Sequence, residues 1–197
     1  DMIEEWVKAQ DILPMEVSDE RGQLLETGGG VLNAKPYLEG CGQFLIHNVD
    51  IISDLDIRWM ASQTRRDAMA TLLVSDRVTS RYLLFDPDTM RLKGWTNVVT
   101  GEVRSPYPDL DVTQCRRLAF SGIHIMSDTV FAALEDFVSR QGLDPEHPRF
   151  PIMDFYLSMC ADYKIYGVEA DGLHLVDVGK LDTLEIAEKE ISRVSQN

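Results

Sequence analysis

The chain is short of positive charge: 19 Lys and Arg stand against 33 Asp and Glu in 197 residues, a formal charge of −14. Duplex affinity rests on cations that neutralise phosphates, so this balance argues against a nucleic-acid partner and against an anionic membrane surface. Cysteine is also scarce. Cys41, Cys115 and Cys160 are odd in number, widely spaced and never in a C-x-x-C pair, which gives no disulfide framework and no zinc site and predicts three buried, reduced thiols in a cytoplasmic protein. No apolar run approaches the roughly 18 residues of a membrane span, and Asp1-Met2-Ile3-Glu4-Glu5-Trp6 has no basic leader region. Gly and Pro number only 13 and 8 beside 44% hydrophobic residues. Collagenous and low-complexity classes are thereby excluded, and a globular domain with a real core remains.

Helical and strand periods alternate along the chain. Met2, Ile3, Trp6 and Val7 share a helix face from the outset, without a cap, as in a chain entered in mid-domain. A short strand is predicted at Met15–Ser18 and a buried one of parallel-sheet type at Gln43–Asp50. Ser53 or Asp54 can cap a helix running to Arg66, followed by a buried strand at Met69–Val74. From 79 to 108, short segments broken by Asp86-Pro87-Asp88, Gly94, Gly101 and Pro106-Tyr107-Pro108 read as a β-meander insertion. A strand at Arg117–His124, helices after Ser127 and Pro151, strands at Ile165–Val168 and His174–Val176, and a last helix from Asp182 complete the order. The expectation is one α/β domain over 1–197, with a mixed, mostly parallel sheet covered by helices on both faces.

Ligands in open α/β sheets gather outside the carboxyl ends of strands. Asp50 and Asp177 each end a buried apolar strand. If those ends lie together, two carboxylates face one cavity, a sufficient protein share for Mg²⁺ when phosphate oxygens and waters complete the octahedron. Alternatively each Asp caps the turn that follows it. The run Glu26-Thr27-Gly28-Gly29-Gly30 reads as a loop whose backbone can approach a flat ligand, or as a plain turn into a helix near Val31. His47 and Asp50 point to opposite strand faces and cannot easily share a metal, while His124 and His174 read as core or rim residues. Asp54-Leu55-Asp56 has the spacing of a phosphatase nucleophile motif, but it falls at a helix start where capping explains it better.

In chain order, Leu24-Leu25-Glu26-Thr27-Gly28-Gly29, Asn48-Val49-Asp50, Phe120-Ser121-Gly122-Ile123 and Val176-Asp177-Val178-Gly179 resemble the sugar-phosphate nucleotidyltransferase family. The likeness is greatest to the bacterial branch of mannose-1-phosphate guanylyltransferases and N-acetylmuramate-1-phosphate uridylyltransferases. It implies a Rossmann-like nucleotide-diphospho-sugar transferase fold and a Mg²⁺-dependent reaction of an NTP with a sugar-1-phosphate, giving an NDP-sugar and pyrophosphate. On this resemblance Asp50 and Asp177 would hold Mg²⁺, Glu26, Thr27, Gly28 and Gly29 would line the base and ribose, and Asn48 and Gly122 would contact the sugar. The family's G-x-G-T-R loop and P-K-P lysine are not in this sequence. The resemblance therefore implies an N-terminally incomplete domain, inactive by itself. Where relatives carry a Glu-Lys or Gly-Asp element this chain has Val78-Thr79-Ser80-Arg81-Tyr82, so Arg81 is either a candidate catalytic phosphate contact or a solvated strand-edge arginine. Lys180, after Asp177-Val178-Gly179, is a candidate substrate-binding neighbour of the phosphate. The alternative is a non-catalytic nucleotide-sugar-binding domain on the same fold.

Overall fold

A computed structural model describes residues 2–11 and 13–179. In chain order the elements are α1 (Met2–Lys8), α2 (Glu26–Asn33), α3 (Lys35–Leu38), β1 (Gln43–His47), β2 (Ile51–Ser53), α4 (Ile57–Gln63), β3 (Ala70–Ser75), β4 (Arg81–Phe85), β5 (Leu92–Asn97), β6 (Val103–Arg104), β7 (Arg116–Ser127), α5 (Val130–Gln141), α6 (Ile152–Met159), β8 (Ile165–Glu169) and β9 (Leu175–Asp177). The helix expected from Asp182 lies outside the described residues.

β7 organises the sheet. Its 12 residues let it serve several neighbours. β4 pairs with its first part, Leu83 opposite Leu118, while β1 and β3 flank its last part, with Phe44 and Ala70 both opposite Met126. The strand order is β6-β5-β4-β7-β3-β8, with β1 attached to β7. Alternation along β3 divides the core in two. Leu72 and Val74 pack with Phe131, Leu134, Phe155 and Tyr156 of α5 and α6. Leu73 faces the other way, with Ile123 and Ile125, onto Met60 of α4. Helices thus cover both faces of a mixed α/β sheet, as expected.

Strand direction is where the sequence misleads. Among the described residues β3 and β8 pair in parallel, and the other pairings are antiparallel. The apolar run from Gln43 stops at His47 and runs antiparallel to β7. Apolarity on both sides of a strand reports helices above and below it and says nothing about its partner's direction. The meander of β4, β5 and β6 joins β7 through β4, so it extends the same sheet.

Other local expectations shift for identifiable reasons. Met15–Ser18 forms no strand. α1 forms, yet none of its residues is buried. α4 starts later than expected because Asp56 caps it, accepting from the N–H groups of Arg58 at 2.8 Å and Trp59 at 3.1 Å. Asp54 instead accepts from His174 N–H at 2.9 Å. Of the three cysteines, all free, Cys160 alone is buried; Cys41 is exposed in the turn after α3, and Cys115 is partly exposed. Burial pushes the Cys160 thiol up to about 12.

Candidate active site

The glycine run builds a helix and not a loop. Glu26 to Gly30 form the first turns of α2. A Cβ on Gly28 would stand 2.3 Å from the Phe150 ring, and one on Gly29 would stand 2.0 Å from the Pro148 carbonyl oxygen. Bare backbone therefore lets α2 seat against residues 148–150, where Gly28 N–H donates to the Phe150 carbonyl at 2.9 Å and Phe150 N–H donates to the Leu25 carbonyl at 3.1 Å. The close approach is made by the protein's own chain, and Gly28 and Gly29 are buried under it instead of lining a ligand surface. Two neighbours turn outward from this seam. Thr27 Oγ1 accepts from Ile152 N–H at 2.9 Å, capping the start of α6 from another helix. Glu26 Oε1 accepts from Arg149 Nε at 3.0 Å.

These contacts draw α2, α6, the end of β1 and the middle of β7 around a cavity of about 780 Å³, whose wall includes Glu26, Thr27, Asn48, Phe120, His124 and Arg149. That volume is typical of small-molecule sites. Asn48 is placed by β7: its N–H donates to the Gly122 carbonyl at 3.1 Å. Gly122 has φ +76°, at the point where the register of β7 against β3 slips. A Cβ at Gly122 would lie 3.0 Å from Asn48 Nδ2 and 3.2 Å from Ile51 Cγ1. Glycine is needed there for both the left-handed backbone and the side chain lying over it.

The two aspartates also come together. β2 and β9 pair with Ile51 opposite Asp177, and Val178 N–H donates to the Asp50 carbonyl at 2.8 Å. Asp50 Oδ2 and Asp177 Oδ1 lie 3.0 and 3.2 Å from the point a Cβ on Gly179 would occupy. Asp177 Oδ1 also accepts from Gly179 N–H at 3.0 Å, so the turn-capping role is real as well. Both residues are exposed, and neither carboxylate pairs with a basic group among the described residues. Two adjacent carboxylates without a cation beside them, around a glycine with no side chain, are a donor set that suits a hard divalent ion. No group of three or more His, Cys, Asp or Glu forms a metal cage among the described residues.

Arg81 stands exposed at the start of β4 and is not part of the cavity wall. Lys180 lies outside the described residues. The basic residue at the cavity is Arg149, which sequence reasoning missed. Its available signal was Pro148-Arg149-Phe150-Pro151, where prolines hold the chain extended.

His124 belongs to the core, as expected, but it also forms part of the cavity wall. Its Nδ1 is hydrogen-bonded to the Tyr156 hydroxyl. Burial pushes its pKa down to about 3 from 6.5. In the unfolded chain this imidazole protonates below about pH 6.5, while in the folded chain it stays neutral. The unfolded state then binds more protons, so this contribution is complete above pH 6.5 and is lost as pH falls toward 3. Urea denaturation at a series of pH values should show stability dropping by about 1.4 kcal/mol per pH unit below 6.5 from this group, a slope absent in His124→Leu.

The fold carrying this site is shared with several solved structures. Similar solved structures include HddC from Yersinia pseudotuberculosis, at 18% identity and TM-score 0.64 over 97% of this chain and 74% of that one. A UDP-glucose pyrophosphorylase complexed with UDP-glucose is similar at 13% identity and TM-score 0.60, over 87% of this chain and 64% of that one. The inositol-1-phosphate CTP transferase from T. maritima gives 12% and 0.54, over 84% and 62%. The chain thus spans less than two thirds of the latter two. At these identities the likeness establishes the fold alone. No protein-family model and no curated protein matches the sequence. Among the described residues no helix is long and apolar enough to cross a membrane.

Proposed function

We propose that this domain serves a sugar-1-phosphate nucleotidyltransferase, joining an NTP to a sugar-1-phosphate and releasing pyrophosphate. The observation that carries the reading is the convergence of Asp50 and Asp177 at Gly179, with Asp50 two residues along the chain from Asn48, which lines the cavity. In this reaction a phosphate oxygen of the sugar-1-phosphate attacks the α-phosphorus of the NTP. The bond from that phosphorus to the bridging oxygen breaks, and pyrophosphate leaves. The nucleophile is already an anion, so no side chain has to remove a proton. The protein's task is alignment and charge neutralisation.

Asp50 and Asp177 would hold Mg²⁺, which when bound supplies positive charge against the reacting phosphates. Asn48, fixed over Gly122, would hydrogen-bond the sugar. Glu26 and Thr27, at the α2 end of the cavity, would meet the nucleoside. Arg149 would offer cationic donors, with Arg81 and Lys180 as further proposed phosphate contacts.

The test is pyrophosphate release by the complete gene product, with ATP, GTP, CTP, UTP or dTTP paired with common hexose- and N-acetylhexosamine-1-phosphates. At least one pair should release pyrophosphate, with activity removed by EDTA and restored by Mg²⁺. A folded protein inactive on every pair overturns the reading.

A further inference from the structure

We infer that His124, held by Tyr156, presents a fixed and uncharged N–H donor to the sugar portion of the ligand, and so acts as a specificity residue. The inference rests on the cavity being the sugar-binding part of the site proposed above, and it goes beyond that proposal in assigning a role to a buried pair the reaction itself does not need.

The proton's position follows from counting donors and acceptors. Tyr156 is fully buried, and His124 Nδ1 is the partner of its hydroxyl. If Nδ1 carried the proton and donated to the phenolic oxygen, the hydroxyl hydrogen would sit in the core without an acceptor. Buried polar groups are rarely left that way. Tyr156 therefore donates to Nδ1, and the imidazole proton resides on Nε2.

Nε2 has no partner among the described residues. It is also not sealed in the core, since the buried polar side-chain atoms lacking a partner among the described residues are Thr71 Oγ1 and Arg91 Nε. With Nδ1 turned to Tyr156, Nε2 is the ring nitrogen left to face the cavity whose wall His124 forms, although the residue as a whole is only 2% exposed. The ring is also clamped. Phe120 and Tyr156 stand edge-on to it, with centroids 5.5 and 5.7 Å away. An N–H aimed into a cavity by two aromatic rings costs no reorientation when a ligand arrives.

The surroundings select the acceptor. Ile46, Phe120, Ile152 and Met153 make the nearby wall apolar, and burial keeps the imidazole neutral. Such a donor suits an uncharged hydroxyl or carbonyl oxygen. A phosphate would instead gain from a cation. The chemistry is that of a sugar ring with an uncharged acceptor on one edge and apolar contacts on its faces.

The experiment compares each NDP-sugar with its own NDP, by calorimetry on the complete gene product. The probes are UDP-glucose, UDP-N-acetylglucosamine and GDP-mannose against UDP and GDP. His124→Leu should weaken the NDP-sugar that binds by about tenfold, the worth of one net hydrogen bond, and leave the matching NDP unchanged. A purely structural role would weaken both alike. Tyr156→Phe removes the group that fixes the proton on Nε2 and should show the same selective loss; it carries the test where His124→Leu does not fold. In ¹⁵N spectra of the imidazole the wild type should show Nε2 protonated, with that preference lost in Tyr156→Phe. Unchanged NDP-sugar affinity in a folded variant overturns the assignment, as does an equal loss for NDP and NDP-sugar. If the wild type binds NDP but no NDP-sugar, the sugar-site reading of the cavity fails, and the assignment fails with it.

Discussion

Asp50→Asn and Asp177→Asn should each lower pyrophosphate release on the order of a thousandfold, the scale of removing one preorganised electrostatic group from a charged transition state. The change from carboxylate to amide keeps shape and most hydrogen bonding. Asn at 177 can still accept from Gly179 N–H, the contact made now at 3.0 Å. What is lost is negative charge at the place where two carboxylate oxygens face the same point beside Gly179. Both side chains are exposed, so the melting temperature should barely move, with a stability change within about 0.5 kcal/mol. Loss of rate with an intact fold separates a chemical role from a turn-capping one. A variant at full rate would remove that aspartate from the site.

The largest effect on stability is expected from Gly29→Ala, at about 3 kcal/mol, measured by urea denaturation. The new methyl carbon would fall 2.0 Å from the Pro148 carbonyl oxygen, a backbone atom that no rotamer change can move. The seam cannot simply widen, because Gly28 N–H and Gly29 N–H both donate to the Phe150 carbonyl, at 2.9 and 3.3 Å. Displacing α2 would also pull Thr27 from Ile152 and distort the cavity. Gly30→Ala is the control. Its methyl would meet the Glu20 carboxylate at 2.7 Å, a flexible group able to move aside, and alanine is favoured over glycine within a helix by about 1 kcal/mol. Gly30→Ala should therefore be near neutral or stabilising. Equal losses at 29 and 30 would mean that glycine serves helix flexibility here, and not the seam.

Several elements were legible because their signals are local. The stripe Val130, Phe131, Leu134, Phe137 and Val138 marks a helix face whatever surrounds it, and all five residues are buried. The apolar strand at 69–74 needs only the knowledge that helices will cover it. The glycine run was harder. Three successive glycines look like a loop, because the intrinsic preference of glycine is against helix. Here the helix forms because its tight packing on Pro148 and Phe150 admits no side chain, and that surface comes from more than 100 residues further along the chain. His124 reads equally well as core in sequence, and only its neighbours show that one ring nitrogen is held by Tyr156 while the other has no partner among the described residues.

By itself the sequence determined composition, charge, helix faces, the mixed α/β class and the candidacy of Asp50 and Asp177, because periodicity and residue chemistry are properties of short segments; Asn48 and Gly122 became candidates through the family resemblance. The tertiary structure decided strand direction, the placing of Gly28 and Gly29 under residues 148–150, the recruitment of Arg149 and His124 to the cavity wall, and the absence of Arg81 from it. The physical reason is common to all of these. Burial and hydrogen bonding between segments far apart in the chain depend on which segments meet, and a strand's or helix's own residues constrain that only weakly.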